Sequence, residues 1–146
     1  MQDKKEELKS AIETAERIHG HLGPFLVVGV RMGRTAMEIL NLNTGDYELR
    51  VTAKTPLQTP FSCILDGIQA TTKCTVGNQR LRVENSEKEI TATFEKQNST
   101  EALRVIVSQK VVEDLVNRAS EGVSNEKLAW KIARTPVNRL FTIEKR

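Results

Sequence analysis

RLRVENSEKEITATFEKQNSTEALRVIVSQ, residues 80–109, decides the fold class. RLRVEN and EITATFEK flank NSEK and read as the two arms of a hairpin. EALRVIVSQ alternates Leu103, Val105 and Val107 and reads as the next strand. Upstream, ELRVTAKT (48–55) sets Leu49, Val51 and Ala53 against Glu48, Arg50, Thr52 and Lys54, the period of a half-buried strand. Strands that follow one another favour a mostly antiparallel four-stranded sheet. With helices before and after them, the expected architecture is α+β, the helices backing one face of that sheet.

The flanking segments carry helical periodicity. In KKEELKSAIETAERIH (4–19), Leu8, Ile12, Ala15 and Ile18 form one apolar stripe, with Ala11 beside it and charges opposite. GHLGP must stop this helix, and Pro24 suits the first position of a second, PFLVVGVRMGRTAMEIL, ending near Leu40. Gly29 and Gly33 weaken that helix unless another backbone packs against them. NLNTGDY (41–47) is a turn and PLQTP (56–60) a loop. SCILDGIQATTK (62–73) is a third helix with Ser62 as its expected cap. KVVEDLVNRASEG (110–122) is helical to Gly122, and SNEKLAWKIART (124–135) is helical up to Pro136, capped by Ser124 or Asn125. VNRLFTIEKR (137–146) reads as a short extended tail. The order is α-α-β-α-β-β-β-α-α in a single domain over residues 1–146, with no repeat or linker.

The totals exclude several functions. A net charge of +3 is spread thinly, with no basic run and no aromatic interleaving, so nucleic acid is not an expected partner. No apolar run is long enough for a membrane span, and MQDKKEELKS is no secretory signal, so the expected location is the cytoplasm. Two cysteines, eleven residues apart, make no disulfide framework.

The chemistry therefore rests on few groups. The chain's two histidines, His19 and His21, stand either side of Gly20. On a helix they would point apart. In turn backbone, which Gly20, Gly23 and Pro24 favour, both could face one side, next to a helix N-terminus. Cys63 would open the third helix, where the helix end favours thiolate, and Cys74 would follow its last turn. About 16 Å would separate them if the helix is regular from 63 to 74, so either one cysteine joins the histidines or the sites split, as across a subunit boundary. Asp66 lies one turn from Cys63 and is the natural oxygen partner. A Cys63–His21 nucleophilic pair is an alternative on composition. GVRMGR lies in a helix pattern without the lysine-serine ending of a phosphate loop. Exposed loop histidines and core cysteines remain the bland alternative.

HGHLGPFLVVGVRMG (19–33) and CILDGIQATTKCTVG (63–77), taken together, resemble the FmdE family, the E components of formylmethanofuran dehydrogenase. The matching positions are His19, Gly20, His21, Pro24, Gly29, Cys63, Asp66, Gln69, Cys74, Thr75 and Gly77, within a motif-bearing core of about residues 13–97. LAWKIARTPVNRLFTIE (128–144), which begins within the C-terminal helices (109–135), resembles the family's closing helix and short strand. The resemblance implies an α+β domain, usually a homodimer, with a transition metal near the histidines and cysteines. The family's namesake is a molybdenum or tungsten enzyme of methanogens and related archaea that reduces carbon dioxide onto methanofuran; many relatives stand alone. Three places depart from the pattern. Gly23 stands where a cysteine is common, Lys73 where glycine is usual, and Asn78, Gln79 and Arg80 where lysine-glycine-asparagine is frequent.

The resemblance thus implies a metal-binding protein with His19, His21, Cys63 and Cys74 as ligands. Asp66 would be a ligand or an acceptor for an imidazole N–H, and Gly20, Gly23, Pro24, Thr75 and Gly77 would shape the loops. Zinc is the first expected ion and nickel the second. Larger oxidoreductase subunits are expected partners beside the homodimer. The alternatives are a stand-alone metal-dependent redox or hydrolytic enzyme and a dimeric scaffold whose metal site has decayed.

Overall fold

The computed structural model describes residues 4–43 and 48–146. Thus most of the turn expected at NLNTGDY, residues 44–47, lies outside the described residues. Helix α1 spans Lys4–His19 and α2 spans Pro24–Ile39. Between them Gly20 adopts φ +100°, a left-handed conformation that glycine takes without steric cost, and its N–H closes the last turn on Glu16 O at 2.7 Å. Pro24 occupies the first position of α2 behind an extended Gly23. Eleven of the sixteen residues of α2 are buried, and it packs against α1 and the elements that follow.

Strand β1 is Leu49–Thr55. A 3₁₀ turn over Phe61–Cys63 leads into helix α3, Ile64–Thr72. Ser62 lies inside that turn and caps nothing; the residue ahead of the helix is Cys63, which makes no side-chain capping bond. Strands β2 (Leu81–Asn85), β3 (Thr91–Lys96) and β4 (Ala102–Val107) follow, then α4 (Gln109–Ser120) and α5 (Asn125–Arg134). Ser124 caps α5 as expected, accepting from Lys127 N–H at 3.2 Å. Gly122, at φ +92°, ends the turn after α4. The carbonyls at the far end of α5 are capped from α2. Arg31 donates to Ile132, Ala133 and Thr135 O at 2.8–3.1 Å, and burial, with Arg34 nearby, pushes its pKa below the usual arginine value.

The sheet corrects two expectations. It is mixed and five-stranded among the described residues, in the order β2-β1-β3-β4-β5. RLRVEN and EITATFEK do not pair: β1 lies between them, parallel to β2 and antiparallel to β3. The physical reason lies in the strands' faces. Leu49, Val51, Ala53 and Thr55 are all buried, so β1 suits the interior of the sheet, whereas β2 buries only Leu81 and suits an edge. The link at 86–90 has only to step across one strand, roughly 10 Å. The tail is also structured. Val137–Leu140 forms a single-turn helix, α6, and Phe141–Lys145 forms β5, which pairs with β4 through Val107↔Phe141 and Val105↔Ile143. Phe141 and Leu140 are buried there, which covers an edge of β4 that four strands would leave open.

One row of the register runs Leu81, Val51, Phe94, Leu103 across four strands, all buried in the core shared with α2. The opposite face carries exposed Arg50, Arg82, Glu84, Glu95, Arg104 and Glu144. Where α2 crosses α3 the backbones touch. A side chain at Gly29 would strike the Ile64 backbone, and one at Gly67 would strike Leu26 O and Val30 N. Gly33 differs: a side chain there would strike the side chains of Thr71 and Thr72, not a backbone. No helix among the described residues is long and apolar enough to cross a membrane.

Candidate metal centre

The α2–α3 contact brings the first turn of α3 beside the end of α1. His19 closes α1, and its Nδ1 lies 2.6 Å from Oδ2 of Asp66 in that first turn. A carboxylate oxygen accepts here, so in the neutral imidazole this contact assigns the proton to Nδ1 and the lone pair to Nε2. The His19 side chain is 13% exposed, and its Nε2 is a buried atom with no hydrogen-bond partner. Leaving such an acceptor without a partner costs about 1–3 kcal/mol. The His21 ring sits 4.7 Å from that of His19, centroid to centroid, tilted by 32°, and His21 is exposed. The non-helical Gly20 lets the two imidazoles meet on one side, as the spacing predicts.

Gly23 borders the same place. A Cβ there would stand 3.8 Å from His21 Nε2 with no other neighbour inside 4 Å. Its φ of −149° and ψ of 167° are open to any residue.

The two cysteines differ in surroundings, Cys63 neighbouring Asp66 and Cys74 held against β1. Cys63, half-buried, precedes α3 by one residue, and its thiol is pushed up by burial and then by the Asp66 charge. The expected helix-end thiolate is therefore corrected: desolvation and a neighbouring anion outweigh the helix dipole. Cys74 follows Lys73, whose φ of 61° ends α3 in a left-handed turn. Cys74 is fully buried and its Sγ donates to Leu49 O at 3.3 Å, tying the loop to β1. Its thiol too is pushed up by burial, with the Thr72 hydrogen bond and Arg80 opposing.

The structure thus sets His21 beside His19 and His19 against Asp66, and puts Cys63 and Cys74 at opposite ends of α3. No group of three or more His, Cys, Asp or Glu among the described residues is placed to share an ion. The fit to a metal is partial: one oriented, unpartnered imidazole nitrogen and a second imidazole beside it. A cleft of about 600 Å³ bordered by Lys4, Glu7, Arg34, Glu38 and Lys73 contains none of these groups. The sequence marks Thr75 as a loop residue and Gln69 without a role, and leaves unread the bracing of that loop by Asn78. Gln69's spacing, one helical turn after Asp66, was the available signal.

Comparison with known proteins adds three findings. The family model described as FmdE, molybdenum formylmethanofuran dehydrogenase operon, matches residues 18–144. A curated protein of Archaeoglobus fulgidus, described as a probable S-adenosyl-L-methionine-binding protein, is 36% identical over 73 residues, 46% of this chain and 18% of that protein. The chain therefore spans less than a fifth of that relative. The crystal structure of a tungsten formylmethanofuran dehydrogenase FmdE-like protein from Syntrophus aciditrophicus superposes with a TM-score of 0.67. At 20% identity it covers 95% of this chain and 71% of the other, a likeness of fold.

Proposed function

This chain belongs to the FmdE family, and from that premise we propose that it is a metal-binding protein accessory to a molybdenum or tungsten formylmethanofuran dehydrogenase. The ion is divalent, zinc before nickel, and His19 Nε2 and His21 are its first donors. The single supporting observation is the His19–Asp66 pair: a buried, unpartnered Nε2 on a ring whose other nitrogen a carboxylate holds. Metal-ligating histidines are held in this way, their second N–H given to a carboxylate or carbonyl. Bound zinc would supply Lewis acidity at that nitrogen. His19 and Asp66 orient the donor, and His21 supplies a second imidazole from the exposed side. Cys63 is a third donor in this proposal only if its thiol ionises on binding; Cys74, bonded to Leu49 O, serves the loop instead.

Zinc uptake by the untagged full chain, set against His19→Ala, tests the reading. Wild type should bind and His19→Ala should lose about 100-fold or more in affinity; equal uptake by the two overturns it. Copurification with larger oxidoreductase subunits tests the accessory role, and light scattering tests the homodimer. One observation favours a second reading, a scaffold whose metal site has decayed: the described residues gather no three donors. Wild type that takes up no zinc would decide for it.

A further inference from the structure

Asp66 is held from both sides. Its Oδ2 meets His19 Nδ1, while its Oδ1 accepts from Gln69 Nε2 at 3.1 Å. Gln69 Oε1 in turn accepts from the backbone N–H of Val76 at 3.2 Å. Val76 stands in a loop with its own bracing. Asn78 Nδ2 donates to Lys73 O at 2.7 Å, and Asn78 Oδ1 accepts from the N–H groups of Thr75 and Arg80, both at 3.0 Å. The Cys74 thiol anchors the start of this loop to β1. A carboxylate can only accept and a peptide N–H can only donate. A side-chain amide, with one oxygen and one NH₂, is the group that spans the two, and both ends together dictate which way it points.

We propose that Gln69 is a positioning residue for the candidate metal centre: it holds Asp66 from the loop side so that His19 keeps its proton on Nδ1 and presents Nε2 to the ion. This rests on His19 being a donor, as proposed for this site. The carboxylate's terminal torsion is intrinsically broad. Pinning Oδ1 directs Oδ2 at Nδ1. Without the pin, the Nε2–H tautomer gains population, and its proton occupies the lone pair a metal needs.

The test uses the metal-free, ¹⁵N-labelled chain at about pH 8.5, above the ordinary histidine range near 6.5. Long-range ¹⁵N–¹H correlations read the His19 tautomer directly. Wild type should show Nδ1–H; Gln69→Leu should show a mixture and bind zinc about 10-fold more weakly. Gln69→Glu separates the two ends, because it can still accept from Val76 but cannot donate to Asp66. It should lose the tautomer preference while the Val76 amide resonance stays near its wild-type position. A wild-type tautomer in Gln69→Glu overturns the proposal, as does weakened zinc binding with the tautomer unchanged, which would mark a merely structural role. If Gln69→Leu does not fold, Gln69→Glu decides alone. If wild type binds no zinc, the metal reading falls, and the tautomer comparison still decides the role of Gln69.

Discussion

Gly67 of α3 and Gly29 of α2 face each other so closely that a Cβ on Gly67 would lie 2.8 Å from the Gly29 carbonyl carbon. That contact carries Asp66, the preceding residue, to the end of α1 and so to His19. Backbone on backbone cannot yield as the tip of a side chain can. Gly67→Ala should therefore destabilise the fold by about 2 kcal/mol or more, the range of an overpacked core, and loosen the His19–Asp66 pair. Gly77→Ala is the matched control, since its nearest neighbour would be Thr75 Oγ1 at 3.8 Å. Thermal and urea unfolding of both variants check this; equal stabilities would sink it.

Gly23→Cys should build the donor that this chain lacks. Its Cβ would stand 3.8 Å from His21 Nε2 on backbone that accepts any side chain. A thiolate at about 2.3 Å and an imidazole at about 2.0 Å from one ion fit that spacing. Affinity for zinc should rise at least 10-fold, and the cobalt-substituted variant should show a stronger sulfur-to-cobalt charge-transfer band than wild type.

The two thiols should differ in reactivity. Cys74, fully buried and bonded to Leu49 O, should resist alkylation until the chain unfolds. Cys63 is half-buried, and its thiol is pushed up by burial and by Asp66. Its alkylation should be slow at neutral pH and rise with a midpoint above the ordinary thiol value of about 8.5. Mass spectrometry of pulse-alkylated protein checks both, and a Cys63 half-titrated at neutral pH would contradict the geometry.

Acid should weaken the α4–α5 junction. Asp114 accepts from Lys131 at 3.0 Å and from Arg118, and those contacts, Lys131 first, hold its carboxyl below the usual range. A depressed folded-state value means that the stabilisation is fully present above the unfolded value near 3.9 and is lost as pH falls through the folded one. The group is largely exposed, so the effect is at most about 1 kcal/mol. Asp114→Asn should lower the melting temperature slightly at pH 7 and leave it unchanged at about pH 2.

Local signals carried the helices. Gly20, Gly23 and Pro24 mark the break between α1 and α2, and Ser124 marks the start of α5, because caps and breakers act within a few residues of themselves. The turn at His19–His21 was legible for the same reason, as was backbone packing against Gly29; at Gly33 the neighbours are the side chains of Thr71 and Thr72 instead. Ser62 misled, because a 3₁₀ turn placed it one step too early to cap α3.

Strand pairing was a different matter. The alternation in RLRVEN and EITATFEK shows which residues face inward, but the partner of each strand depends on how much apolar face every other strand offers. β1, with Leu49, Val51, Ala53 and Thr55 buried where β2 buries only Leu81, took the place between them. The tail became β5 only because β4 had an edge to cover. The site divides along the same line. Two histidines around a glycine, and a carboxylate at the start of a later helix, were written in the sequence. The pairing of His19 with Asp66 across 47 positions, and the removal of Cys74 into a bond with β1, came from two helices packing glycine to glycine. Periodicity and caps are properties of neighbours along the chain; partners and ligand sets depend on which surfaces are left to bury.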